Sequence, residues 1–153
     1  MYRHLFVALD GGAASQAALD HAVALAAALG ARLQLVHVID TTELPPATAG
    51  AGSQAPAAEP ARLQGQELLQ RALRQAQAAG VQAGTRMLEG QALGRPVGEL
   101  LADEARSAGA DLVLVGSQGR RGLDRLFLGS VAEQVARLCS VPVMIVHAAQ
   151  AAG

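Results

Sequence analysis

Gly116 and Gly119 are followed, after nine further residues, by Gly129 and Ser130. This spacing suits the binding of a phosphate chain. Glycine lets backbone N–H groups approach a ligand that a Cβ would hold off. Successive N–H groups in such turns form concave nests for anionic oxygens. The segment Val115-Gly116-Ser117-Gln118-Gly119 follows an apolar run from Asp111, and Gly129-Ser130-Val131-Ala132 opens a helical pattern reaching Cys139. A helix start adds unpaired N–H donors and partial positive charge. Arg120, Arg121 and Arg125 crowd the same loop around Gly122. Their planar guanidinium groups suit phosphate, or pairing with Asp124 in a solvated loop. The Ser130 hydroxyl serves either the helix cap or a phosphate, and Ser130-Val-Ala-Glu133 fits a capping box.

Two more segments end in residues with chemistry to offer: Ala8-Leu9-Asp10-Gly11-Gly12 and His37-Val38-Ile39-Asp40. Ligands in open α/β sheets bind beyond the carboxyl ends of the strands, at a topological switch point. If the first and fourth strands are neighbours, Asp10 faces the glycine loop. Its carboxylate then suits a ribose hydroxyl or a phosphate-held metal, or else caps the Gly12 or Ala13 amide in a turn. Val38 offers N–H and C=O groups that could read an adenine edge, or it is an ordinary core valine. His4, His21, His37 and His147 are scattered without metal-ligand spacing and read as packed or surface groups. Neither a GxSxG nucleophile elbow nor the full dinucleotide fingerprint is present.

The elements that must position these residues alternate. Leu-Phe-Val-Ala-Leu within His4 to Asp10 suits a strand buried on both faces. Ser15 reads as the cap of a helix reaching about Leu29, with Gly30 past its end. Arg32 to Asp40 reads as a second strand. Thr41 to Pro60 is rich in Pro, Ala, Gly and Thr, lacks a period, and reads as a mobile loop or disordered insertion. Arg62 to Ala79 is a second helix, and Val81 to Leu88 an alternating, half-exposed edge strand. A third helix has Pro96 in its first turn and ends at Gly109. Asp111 to Val115, the helix from Ser130, and Val141 to His147 complete the order, with a tail from Ala148 to Gly153. Alternating strands and helices predict an α/β parallel sheet with helices on both faces. The last strand is strongly apolar; at an edge it invites a second chain, which predicts a homodimer through Val143 to Val146.

Composition narrows the function. At 153 residues one domain is expected. With 51% apolar and 16% charged residues the chain is globular rather than disordered. A net charge of −1 and 2% aromatics give no general attraction to nucleic acid or to a membrane surface. All 12 basic residues are Arg. Without Lys there is no Walker A loop, no kinase strand lysine and no Schiff-base chemistry. Cys139 is alone, so no intrachain disulfide forms. Met1-Tyr2-Arg3-His4-Leu5 leads directly into a strand without a signal-like apolar stretch, and no run reaches membrane-helix length, so a cytoplasmic protein is expected.

With these residues assembled, the chain resembles the universal stress protein family, in its ATP-binding branch. The G-x2-G-x9-G-[S/T] pattern is met by Gly116, Gly119, Gly129 and Ser130. The likeness runs from Leu5 to His147 and includes Asp10, His37-Val38, Gly94-Arg95-Pro96 and Val141-Pro142-Val143. It implies a Rossmann-like sheet in the order 3-2-1-4-5 and a dimer through the last strand. It implies that Ala8, Leu9, Asp10 and Val38 hold adenine and ribose, and that Gly116 to Gly122 and Gly129 to Ala132 line the triphosphate. It further implies ATP with a divalent cation such as Mg2+ or Mn2+, a role in stress survival, and slow or absent catalysis. Gln118 stands where the family often has His, and Gly12 where it often has Ser. Two other readings are a weak ATPase or phosphotransferase, for which no base can be nominated, and a nucleotide-free interaction module, which would need none of these spaced glycines.

Overall fold

Alternate side chains of the short apolar runs point to opposite sides, so a strand with both faces covered can be apolar throughout. The computed structural model, which describes residues 1–39, 55–89, 94–119 and 128–148, has this arrangement. Strands β1 (His4–Ala8), β2 (Arg32–Ile39), β3 (Ala83–Glu89), β4 (Leu112–Gly116) and β5 (Val143–Val146) alternate with helices α1 (Ala13–Leu29), α2 (Ala55–Ala78), α3 (Val97–Ser107) and α4 (Ser130–Leu138). The sheet is wholly parallel in the order β3-β2-β1-β4-β5, as expected.

Two apolar layers sandwich it. Leu5, Val7, Leu33, Leu35, Leu112 and Leu114 pack against Ala18, Ala22 and Ala26 of α1 and Leu69, Ala72 and Ala76 of α2. Phe6, Val36, Val113 and Val115 face Leu101 and Ala105 of α3 and Ala132 and Val135 of α4. The alanine stripe at four-residue spacing brings α1 close to the sheet. That helix ends on Gly30 in the left-handed conformation, φ 66°.

Several boundaries differ from expectation. Helix α1 begins at Ala13 with Gly12 as its N-cap, so Ser15 lies inside the first turn rather than capping it. The last six residues of the segment read as a loop, 55–60, are helical despite Pro60; residues 41–54 lie outside the described residues. An alanine-rich stretch has high helix propensity even without a visible apolar period. Pro96 precedes α3 as its N-cap instead of occupying its first turn. Strand β3 starts two residues later than expected, because Val81 closes the turn after α2 through its N–H to Ala76 O, and it runs on to Glu89; β5 is shorter than expected at both ends. At the outer edges β3 is mostly exposed and β5 shows Met144 to solvent.

Candidate functional site

The crevice where the strand order reverses, between β1 and β4, opens into a hollow on the α3/α4 side with about 490 Å3 of empty space, open solvent included. Its apolar wall is Ala8, Val36, Val38 and Val115 from the strands and Val97 and Leu101 from α3. Its rim carries Leu9, Asp10, Ser15, Gly116, Gln118, Gly119, Val131 and Ala132. Of the residues expected from sequence, Ala8, Leu9, Asp10, Val38, Gly116, Gln118, Gly119, Val131 and Ala132 therefore come together around one hollow. Val36, Ser15, Val97 and Leu101 were not anticipated. Val97 and Leu101 stand four apart on α3, a signal that by itself says only that the helix has an apolar face.

Ser117 and Gly129 hold the loop rather than lining the hollow. Ser117 is buried; its N–H donates to Val146 O and its carbonyl accepts the Gly129 N–H, both at 2.8 Å. This clip seats the start of α4 against the glycine loop. A Cβ on Gly129 would stand 3.3 Å from Gln118 Cα and Gly119 N. The expected capping box does not form. Gly129 is the N-cap, no side chain among the described residues caps the helix start, and Glu133 reaches Arg137 instead. The first helical bond is Glu133 N–H to Gly129 O, so the N–H groups of Ser130, Val131 and Ala132 have no partner within the helix. Ser130 itself is exposed. Arg120, Arg121, Gly122 and Arg125 lie outside the described residues.

The two loop glycines are small for different reasons. A Cβ on Gly116 would meet Ala14 C and Ser15 N at 2.7 Å, so the packing of α1 against β4 demands glycine there. A Cβ on Gly119 would lie 3.7 Å from Asp10 Oδ2, an ordinary contact, and Gly119 lacks a positive φ. The fold therefore tolerates a side chain at Gly119; what a Cβ would fill is the hollow.

Asp10 leaves β1 at the rim. Its Oδ1 accepts the Gly12 N–H at 2.7 Å, the turn-capping alternative. Its Oδ2 is the atom turned toward Gly119. The Ser15 hydroxyl accepts the Asp10 N–H at 3.3 Å and donates to Gly12 O at 3.2 Å, which fixes the turn. Among the described residues no group of three His, Cys, Asp or Glu side chains could hold a metal alone. A cation here would take Asp10 as its protein carboxylate and complete its shell with phosphate and water oxygens, the usual habit of Mg2+.

The walls are braced from behind. Gln134 of α4 accepts the Gly98 N–H through Oε1 at 3.0 Å, supplying α3 with the cap its own Pro96 cannot. A Cβ on Gly98 would come within 2.4 Å of Gln134 Cβ, so glycine permits this approach. Arg95 is held along α3 by Glu99, at 2.7 Å, and by Asp103. Hydrogen bonding from Arg95 lowers the Asp103 carboxyl below the usual carboxylate range, and Asp103 and Glu99 raise the Arg95 guanidinium in turn.

The family profile described as the universal stress protein family matches residues 1–147. A universal stress protein of Methanocaldococcus jannaschii is 33% identical over 146 residues, covering 95% of this chain and 82% of that protein. A crystal structure from the same family in Burkholderia pseudomallei is 30% identical, covers 95% of this chain and 96% of its own, and superimposes with a TM-score of 0.74. A universal stress protein solved in complex with cAMP is 26% identical, covers 97% of this chain and 99% of its own, and gives a TM-score of 0.71.

Proposed function

The chain belongs to the universal stress protein family, and from that premise we propose that it is a homodimeric ATP-binding module that acts as a nucleotide-dependent sensor or regulator in stress response. The observation that carries the reading is the pairing of an apolar slot with an uncapped helix start. Base and ribose fit between Ala8, Val36, Val38 and Leu101, with Asp10 at the ribose end. The phosphates lie along Gly119 and the N–H groups of Ser130, Val131 and Ala132, where the helix dipole favours negative charge. Mg2+ or Mn2+ on the phosphates takes Asp10 as protein ligand. The cAMP complex of a similar protein supports an adenine nucleotide as the ligand class.

The open edge of β5, with Met144 exposed and Val143 and Ile145 half-buried, supports self-association through Val143 to Val146. Calorimetry of the purified protein with Mg-ATP, AMP and cAMP tests the reading directly. Saturable binding of an adenine nucleotide is expected; no heat at millimolar ligand would refute it. Light scattering tests the dimer, and a homogeneous species at monomer mass would count against it.

A further inference from the structure

We propose that His37 is a positioning residue for base recognition: by occupying the Leu9 carbonyl it withholds a sheet rung and leaves the main chain of Val38 available to the ligand. The inference rests on the adenine-site reading and assigns specificity within it. In β2 the direction of each residue's N–H and C=O alternates. Leu33 donates to Gln82 O, on the β3 side, whereas Val36 accepts from Leu9 N–H at 2.8 Å, on the β1 side. Val38, two residues beyond Val36, turns its polar groups toward β1 as well. A regular parallel ladder would continue with Val38 N–H donating to Leu9 O. That bond does not form; Leu9 O instead takes the His37 ring, with Nδ1 at 2.7 Å. A carbonyl only accepts, so Nδ1 carries the hydrogen. The ladder stops one rung early, and Val38 presents N–H and C=O at the wall of the cavity.

The ring is held in its place by neighbours. Gly65 lies buried in the interior of α2, where glycine is a poor helix former. A Cβ there would stand 2.7 Å from His37 Cδ2 and 2.9 Å from Met87 Sδ, so the helix keeps glycine where the imidazole passes. An adjacent donor and acceptor on one strand residue match adenine, which offers an acceptor at N1 and a donor at its exocyclic amine. They mismatch hypoxanthine, which carries a hydrogen on N1 and a carbonyl in place of the amine.

The test compares AMP, IMP and inorganic tripolyphosphate by calorimetry on wild type, His37→Leu, His37→Asn and Gly65→Ala. His37→Leu is expected to lose about tenfold in AMP affinity, to lose its preference for AMP over IMP, and to keep its tripolyphosphate affinity. His37→Asn, which restores an N–H donor, recovers much of the preference. Gly65→Ala displaces the ring and reproduces the loss even though alanine favours the helix, and it answers the question if His37→Leu does not fold. Hydrogen exchange of the Val38 amide gives a readout independent of any ligand. It is expected to be fast in wild type and at least tenfold slower in His37→Leu, as the missing rung closes. Unchanged AMP preference and unchanged Val38 exchange in both His37→Leu and Gly65→Ala overturn the role of His37 while leaving the nucleotide reading intact. Failure of wild type to bind AMP or ATP refutes that reading and the base-recognition role with it.

Discussion

Helices α1 and α4 both begin at the rim of the same crevice with a glycine N-cap, but the turns that lead into them are built differently. Before α1 side chains brace the turn without capping the helix: Asp10 Oδ1 takes the Gly12 N–H, and the buried Ser15 hydroxyl links Asp10 to Gly12. At α4 nothing of the kind occurs. Gly129 is the cap residue, Ser130 is exposed, and Glu133 turns away to Arg137. Every helix start is a potential anion site. Neither helix spends its first N–H groups on a side-chain cap, so the difference teaches that placement decides: the first turn of α4, through Val131 and Ala132, borders the hollow beside the glycine loop.

Substitutions can break this contrast, most strongly at Gly119. Gly119→Val should reduce Mg-ATP affinity by about 100-fold, or about 2.7 kcal/mol, with denaturation stability nearly unchanged, since among the described residues only Asp10 Oδ2 stands near the new Cβ. Calorimetry beside urea melts separates the two quantities. Gly116→Ala should do the reverse. Its Cβ would press on the backbone of Ala14 and Ser15, and overpacking of that kind destabilises by about 1–3 kcal/mol, readable as a lowered urea midpoint.

Asp10→Asn sharpens the comparison by splitting one residue's two roles. The amide oxygen can still accept the Gly12 N–H, so stability should hold. Loss of the charge facing Gly119 should weaken Mg-ATP about tenfold, roughly 1.4 kcal/mol, and weaken metal-free ATP less. Equal losses with and without Mg2+ would remove Asp10 from the metal. Ser130→Ala should leave thermal stability within about 0.5 kcal/mol, because no cap is lost, whereas a true N-cap serine would cost about 1 kcal/mol.

The smallest effect concerns pH. Hydrogen bonds from Arg95 and Arg62 hold the Asp103 and Glu89 carboxyls below the usual range. Folded values below unfolded ones mean that their contribution is present above the unfolded values and fades as pH falls through the folded ones. Both pairs are solvent-exposed, so the effect is slight and salt-sensitive. Carbon-detected titration of Asp103 should move up toward the ordinary value in Arg95→Ala, with Arg106 still holding it slightly low, while nucleotide affinity at neutral pH stays as it was.

The apolar runs and the punctuating Gly30 and Gly109 were enough to place the five strands and four helices of the described residues, because burial on both faces leaves a strong local signature. Helix starts were less legible. Ser15 and Ser130 both sit where a cap is plausible, and both caps are in fact the preceding glycine-bearing turns. A serine one to three residues from a helix start looks the same in sequence whether it caps, bridges or faces solvent. The helical 55–60 segment was hidden for a related reason, since proline and alanine carry no period.

Residue type and spacing alone determined the α/β alternation, the absence of lysine chemistry, and a glycine loop ahead of a helix. These are local properties, fixed by which backbone conformations and which burial pattern each short segment permits. Only the folded chain decided that Gly116 is small to admit α1 whereas Gly119 is small toward the hollow. It alone brought Leu9 O to His37 across 28 positions and Gly98 to Gln134 across 36. Contacts between distant segments depend on how layers pack in three dimensions, and no window of neighbouring residues contains that information.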